Sequence, residues 1–227
     1  MFYIVIFIAI AIASYMVQAN LQRKFKRYSQ VAVSAGLTGR EVAEKMLRDH
    51  GITDVQVIST PGQLTDHYNP TTHTVNLSEG VYESCSVAAA AVAAHECGHA
   101  VQHQYAYAPL RLRSSLVPVV QVASRWTPWL LLGGILTLTI FPQILLAGII
   151  LFALTTLFSF VTLPVEIDAS RRAITWLQGA SITSAAQQPM ATDALRSAAY
   201  TYVVAALSSL ATLIYYVLIF MGGSRDE

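Results

Sequence analysis

From Trp126 to Val165 the chain carries no charged side chain. As helix this stretch would be about 60 Å long, close to two crossings of a bilayer core roughly 30 Å thick. One crossing cannot use it all. Near its middle stands Phe141-Pro142-Gln143, where proline's missing donor and fixed φ break a helix. The expectation is a transmembrane hairpin over residues 126–165 with a tight external turn. Phe2 to Val17 and Tyr200 to Met221 are also uncharged and apolar. Tyr200 and Tyr202 suit an interface of the latter, while Tyr215 and Tyr216 lie somewhat deep for the other. With 54% hydrophobic and 12% charged residues, the composition is far from a soluble globular average and points to the membrane; the uncharged stretches together lead to the expectation of four spans.

The basic residues orient these spans. Arg23, Lys24, Lys26 and Arg27 follow the first one, the reverse of the charge order of a cleavable signal. The competing reading takes Val17-Gln18-Ala19 as a cleavage site. An uncleaved anchor puts the amino terminus outside and its basic end in the cytoplasm. Residues 1–19 are then an anchor, 20–125 a cytoplasmic region, 126–165 the hairpin, 166–197 a second cytoplasmic segment and 198–227 the last span and tail. Thirteen of the fourteen Lys and Arg fall in the two cytoplasmic segments, and Arg225 is the other. A net charge of +1 with no basic stripe gives no footprint for nucleic acid. Cys85 and Cys97 are too few for a disulfide framework, so reduced thiols are expected.

In the first cytoplasmic region Thr38-Gly39-Arg40-Glu41 has capping-box spacing, and Val42, Ala43, Met46 and Leu47 continue at helical period. Val55 to Ile58 and Thr74 to Leu77 read as a small two-stranded sheet, with Thr65-Asp66-His67-Tyr68 and Asn69-Pro70 in the connection. Ser86 then caps an alanine-rich helix that meets no proline before Pro109.

That helix carries His95-Glu96-Cys97-Gly98-His99. Histidines four apart share a helix face and can both reach one zinc ion, while Glu96 lies in a neighbouring sector suited to a general base. The competing reading is a helix whose histidines make ordinary hydrogen bonds. A third ligand decides between them. His103 is one further step along, but about 12 Å from His95 on an unbroken helix. It is therefore expected beside the site or at the surface, with a ligand role as the alternative. Glu166 is the first charge after the uncharged stretch and emerges on the same side as the histidines. It can also be read as a solvated helix end, since acidic residues favour helix starts. Asp168 faces away from Glu166 and is expected to support or cap, with Arg171 and Arg172 pairing with it or with lipid headgroups. His67 and Tyr68 are candidate donors to an oxyanion, or simple packing residues.

Asp66-His67-Tyr68-Asn69-Pro70, His95 through His103, the run from Val161 to Ala173 and Ala198 to Val203, all in order, resemble the YugP-type membrane zinc metallopeptidases. The resemblance covers nearly the whole chain. It implies a bacterial plasma-membrane peptidase with one Zn2+ per chain on His95, His99 and Glu166, and with Glu96 as catalytic glutamate. More distantly the chain is similar to the HtpX group of membrane proteases. Asn69 stands where aspartate is common, Cys97 where a small residue is common, and Ser170 where the HtpX group has aspartate. The expected fold is a mainly α membrane protein, four transmembrane helices plus a small cytoplasmic α+β zincin-like metallopeptidase region.

The expected activity is hydrolysis of peptide bonds by a zinc-activated water with Glu96 as general base, on membrane-associated polypeptides near the cytoplasmic face. Proteolysis inside the bilayer fits less well, because Val87 to Ala94 is too short for most of a span. The non-enzymatic alternative is a four-span scaffold or adaptor with structural zinc or none.

Overall fold

A computed structural model describes residues 2–223, with side chains from residue 7 to residue 222. Met1, Arg225 and the rest of the expected tail after residue 223 lie outside the described residues. Among the described residues seven helices and three strands follow in the order α1 (Phe2–Tyr28), α2 (Gly39–Asp49), β1 (Gln56–Thr60), β2 (His67–Asn69), β3 (Thr74–Ser78), α3 (Glu79–Tyr82), α4 (Val87–Gln104), α5 (Ala108–Leu136), α6 (Pro142–Gly179) and α7 (Gln188–Gly223). The protein is mainly helical with one small sheet.

Two compact units divide the chain. One holds the described parts of Met1–Tyr15, Arg111–Leu163 and Tyr202–Glu227; the other holds Met16–Leu110 and Pro164–Thr201. The divisions fall inside α1, α5, α6 and α7.

In the first unit α5 and α6 are joined by residues 137–141, so the break expected at Phe141-Pro142 is present and Pro142 opens α6. The two helices approach closely: a Cβ on Gly134 would lie 2.4 Å from the Leu145 Cα. Leu131, Leu145 and Ile149 are buried there among Leu213, Tyr216 and Phe220. Two helices, Pro142–Gly179 and Gln188–Gly222, are long and apolar enough to cross a membrane, with mean hydropathies of 2.6 and 2.2. Their most apolar windows are only 22% and 6% buried within the protein. Such outward apolar surface is costly in water and natural against hydrocarbon.

In the second unit the expected capping box is complete. The Thr38 hydroxyl accepts from the Glu41 amide at 3.2 Å, and the Glu41 carboxylate accepts from the Thr38 amide at 2.8 Å. It starts α2 at the point where Val42, Ala43, Met46 and Leu47 turn inward and become buried. Ser86 likewise accepts from the Ala89 amide and caps α4. Alanine dominates α4, which is buried on nearly every side, and the small side chains allow neighbouring elements close to its axis. The helix stops at Gln104, before Pro109, because Ala106 turns with φ 50° and Pro109 falls in the first turn of α5.

The sheet differs from the expected pair. It has three strands in the order β1-β3-β2, β1 parallel to β3 and β2 antiparallel to it. The added strand is the His67–Asn69 segment expected in a connection. Central β3 sends Val75 and Leu77 into the core shared with α2 and α4, whereas β2 is an edge.

Thr38→Ala removes one half of the capping box. It should cost about 1 kcal/mol, read as a lower thermal-unfolding midpoint of the detergent-solubilised protein, whereas Thr71→Ala in the exposed turn should leave the midpoint nearly unchanged.

Candidate metal centre

Helical spacing puts His95 and His99 on one face of α4, their ring centroids 4.8 Å apart and nearly perpendicular at 82°. Glu166, on α6 two residues beyond Pro164, completes the group. The His95 and His99 Nε2 atoms lie 3.3 and 3.6 Å from the Glu166 Oε2. One donor atom from each of the three residues lies within 4.8 Å of the others. Donors about 2.1 Å from a tetrahedral zinc are separated by about 3.4 Å, so the spacing and the nitrogen–oxygen donor set fit such an ion. This is the only such group of three among the described residues.

Close packing of α4 on α6 makes the group possible. A Cβ on Gly98 would lie 2.7 Å from the Ala169 carbonyl oxygen and 3.1 Å from its Cα. Only glycine fits between the two histidines at this distance. The carboxylate this brings in is 3% exposed. Burial pushes the His99 imidazole toward its neutral form, but the adjacent Glu166 carboxylate outweighs burial and holds its pKa above the ordinary value.

Around the three residues lies a ring of hydrogen bonds. The His95 Nδ1 is 3.1 Å from the Ser170 Oγ, and the His99 Nδ1 is 3.1 Å from the Gln102 Oε1. The Gln102 Nε2 donates to the Val165 carbonyl at 2.8 Å and to Asp168 at 2.9 Å. Asp168 also accepts from the Arg172 Nε at 2.6 Å. Asp168 therefore faces away from Glu166 but joins α6 to α4 through Gln102.

Glu96 is buried beside the histidines in sequence, and its Oε2 accepts from the backbone N–H of Tyr68 at 3.1 Å. The edge strand β2 thus reaches the carboxylate with its main chain. The Tyr68 hydroxyl instead bonds the His103 Nδ1 at 3.0 Å, and burial pushes its pKa up. His103 stands against His73, with ring centroids 5.7 Å apart, apart from the His95, His99 and Glu166 group. His67 points to solvent and donates from Nδ1 to the Thr65 carbonyl at 2.7 Å. Asn69 accepts from the Thr71 and Thr72 amides at 2.9 and 3.3 Å, a turn-forming role. Cys97 is fully buried and donates to the Ala43 carbonyl at 3.5 Å. Burial pushes its thiol pKa well up. Cys85 and Cys97 are both free thiols.

The sequence reading missed Gly98 as a contact point and Gln102 as a partner of His99. Signals for both were present: a glycine inside the motif, and a glutamine three residues after His99 on the same helix face.

Half-buried His95 and buried His99 one turn apart, a buried glutamate on α6 between them and a second glutamate in the motif form a group that could hold a metal ion. The chain belongs to the family described as "putative neutral zinc metallopeptidase", which matches residues 3–221. It is 42% identical over 227 residues, the whole of both chains, to "Putative membrane protease YugP" of Bacillus subtilis (strain 168). No solved structure matches it.

Gly98→Ala should cost about 1–3 kcal/mol by overpacking α4 on α6, measured by thermal unfolding in detergent. Gly179→Ala, with nothing within 4 Å of the added carbon, should be neutral or slightly stabilising.

Proposed function

We propose that this chain is a membrane-bound zinc metalloendopeptidase that hydrolyses peptide bonds of membrane-associated polypeptides near the cytoplasmic face. The observation that carries the proposal is the convergence of His95, His99 and Glu166 donors within 4.8 Å, with a further carboxylate, Glu96, next to the first of them. Membership of the peptidase family and the likeness to a membrane protease support it.

In this proposal one Zn2+ is held by His95, His99 and Glu166 and, when bound, acts as a Lewis acid that polarises the peptide carbonyl and acidifies water. Glu96 takes the proton of the attacking water and later gives it to the departing amine. Tyr68's backbone N–H holds one Glu96 oxygen at 3.1 Å and so fixes the direction of the other. The Tyr68 hydroxyl, bonded to His103 at 3.0 Å, would have to turn from it to serve as the candidate donor to the carbonyl oxygen. Asp168 and His67 take no direct part.

Membrane association is supported by the two long apolar helices and by the relative. We extend it to four spans, with residues 1–19, the hairpin of 126–165 and residues 198–227 in the membrane. Residues 20–125 and 166–197 then make up the cytoplasmic peptidase region. Thirteen of fourteen Lys and Arg lie in those two segments, the charge bias of a cytoplasmic face.

The test is zinc content and peptide cleavage of the detergent-purified protein, wild type beside Glu166→Ala and Glu96→Gln. Wild type should hold about one zinc and cleave; Glu166→Ala should lose most of the metal. Glu96→Gln, which can still accept from Tyr68, should keep zinc while cleavage falls about 10²–10⁴-fold. Full zinc in Glu166→Ala would move the third ligand elsewhere. No zinc in metal-replete wild type, or unchanged cleavage in Glu96→Gln, would sink the peptidase mechanism.

A further inference from the structure

We propose that Gln102 is a positioning residue of the metal centre, fixing His99 in the tautomer whose Nε2 lone pair faces Glu166 while tying that histidine to the helix that carries Glu166. The inference rests on the metal-centre reading above.

Gln102 is 0% exposed, the most buried polar side chain among the described residues. A buried amide without partners is costly, and both groups of this one are engaged. Its orientation is determined by what surrounds it. The Val165 carbonyl at 2.8 Å and the Asp168 carboxylate at 2.9 Å can only accept, so the NH2 group must face them. Turning the amide over would set its oxygen against both. Asp168 is committed as an acceptor by the Arg172 Nε at 2.6 Å, which also balances its charge.

That leaves the Gln102 carbonyl oxygen for His99. An amide oxygen cannot donate, so the His99 Nδ1 at 3.1 Å must carry the hydrogen. A neutral imidazole protonated on Nδ1 has its lone pair on Nε2, the atom 3.6 Å from Glu166. Donation therefore runs from His99 to Gln102 and on to Asp168, where Arg172 donates from the other side, and this order leaves the His99 Nε2 lone pair free for a metal. His95 has no such constraint, because the Ser170 hydroxyl can donate or accept. The same amide grips the Val165 carbonyl, one residue before Glu166, so a single side chain sets the spacing of two ligands on different helices.

A plain packing role for Gln102 would depend on its volume and its grip on α6, and not on an acceptor for His99. The variants are Gln102→Met, close in volume but with only a weak acceptor, and the double variant Gln102→Glu with Asp168→Asn. In the double variant the fully buried carboxyl at 102 is protonated, so its carbonyl oxygen still accepts from the His99 Nδ1–H, its hydroxyl donates to the Val165 carbonyl in place of the amide, and the new amide at 168 donates to that hydroxyl's oxygen. Zinc affinity is measured by competition with a chromophoric chelator, and the site geometry by the visible absorption of the Co2+-substituted protein, all on the full chain in detergent. Gln102→Met should bind zinc about 10–100-fold more weakly and shift the Co2+ bands, and the double variant should recover most of both.

The inference is overturned if folded Gln102→Met binds zinc as tightly as wild type with an unchanged spectrum. It is overturned as well if the double variant folds but is as weak as Gln102→Met or, should that variant not fold, binds zinc tenfold or more weaker than wild type. Wild type that takes up no zinc would remove the metal-centre reading and this inference together. Loss confined to the variants bears on Gln102 alone.

Discussion

Everything at the centre depends on how closely α4 and α6 approach each other. At Gly98 the two backbones leave no room for even one methyl group beside Ala169. That contact is what lets a carboxylate on one helix stand between two imidazoles on the other. Glu166 is buried to 3% exposure, and a lone carboxylate in such a place would carry a large desolvation cost. In the proposed centre a cation held with the two ring nitrogens, 3.3 and 3.6 Å from the carboxylate, would offset that cost. The geometry that suits an ion is thus the geometry that makes the burial tolerable.

α4 shows how such an approach is built. Its alanines bury little surface each, but α2 and α6 can both come near its axis, and Cys97 and Gly98 continue the small surface into the motif. The hydrophobic gain comes from partners such as Met46, Leu47, Leu177 and Leu195. Polar side chains enter this packed region only where a partner meets them, Gln102 being the fullest case.

Much of this was legible in the chain because local chemistry wrote it there. Thr38 and Ser86 mark helix starts through their own hydroxyls, Pro142 marks a break through its missing donor, and the histidines announce a shared face by spacing alone. Glu166 was found by contrast, as the first charge after an uncharged run. What could not be read depends on distance in space. The strand His67–Asn69 is three residues long with a single apolar side chain, too short for any alternation to register. The continuity of α6 through Pro164 and Glu166 was only half legible, because a proline can open a helix or kink one that continues. Gln102 looks like any surface glutamine until α6 is set against it.

The bond from Tyr68 to Glu96 has a further consequence. Its donor belongs to the main chain, so every amino acid at position 68 supplies it except proline, and drift of the side chain leaves the carboxylate where it was. The strand's alignment is what has to be preserved. Neighbouring amides in a strand point to opposite edges, so sliding β2 by a single residue along β3 would turn a carbonyl toward Glu96 and set oxygen against oxygen. An insertion or deletion in the Pro61–Asp66 connection, which touches none of the metal-facing residues, could therefore silence the centre more thoroughly than most replacements of Tyr68 itself.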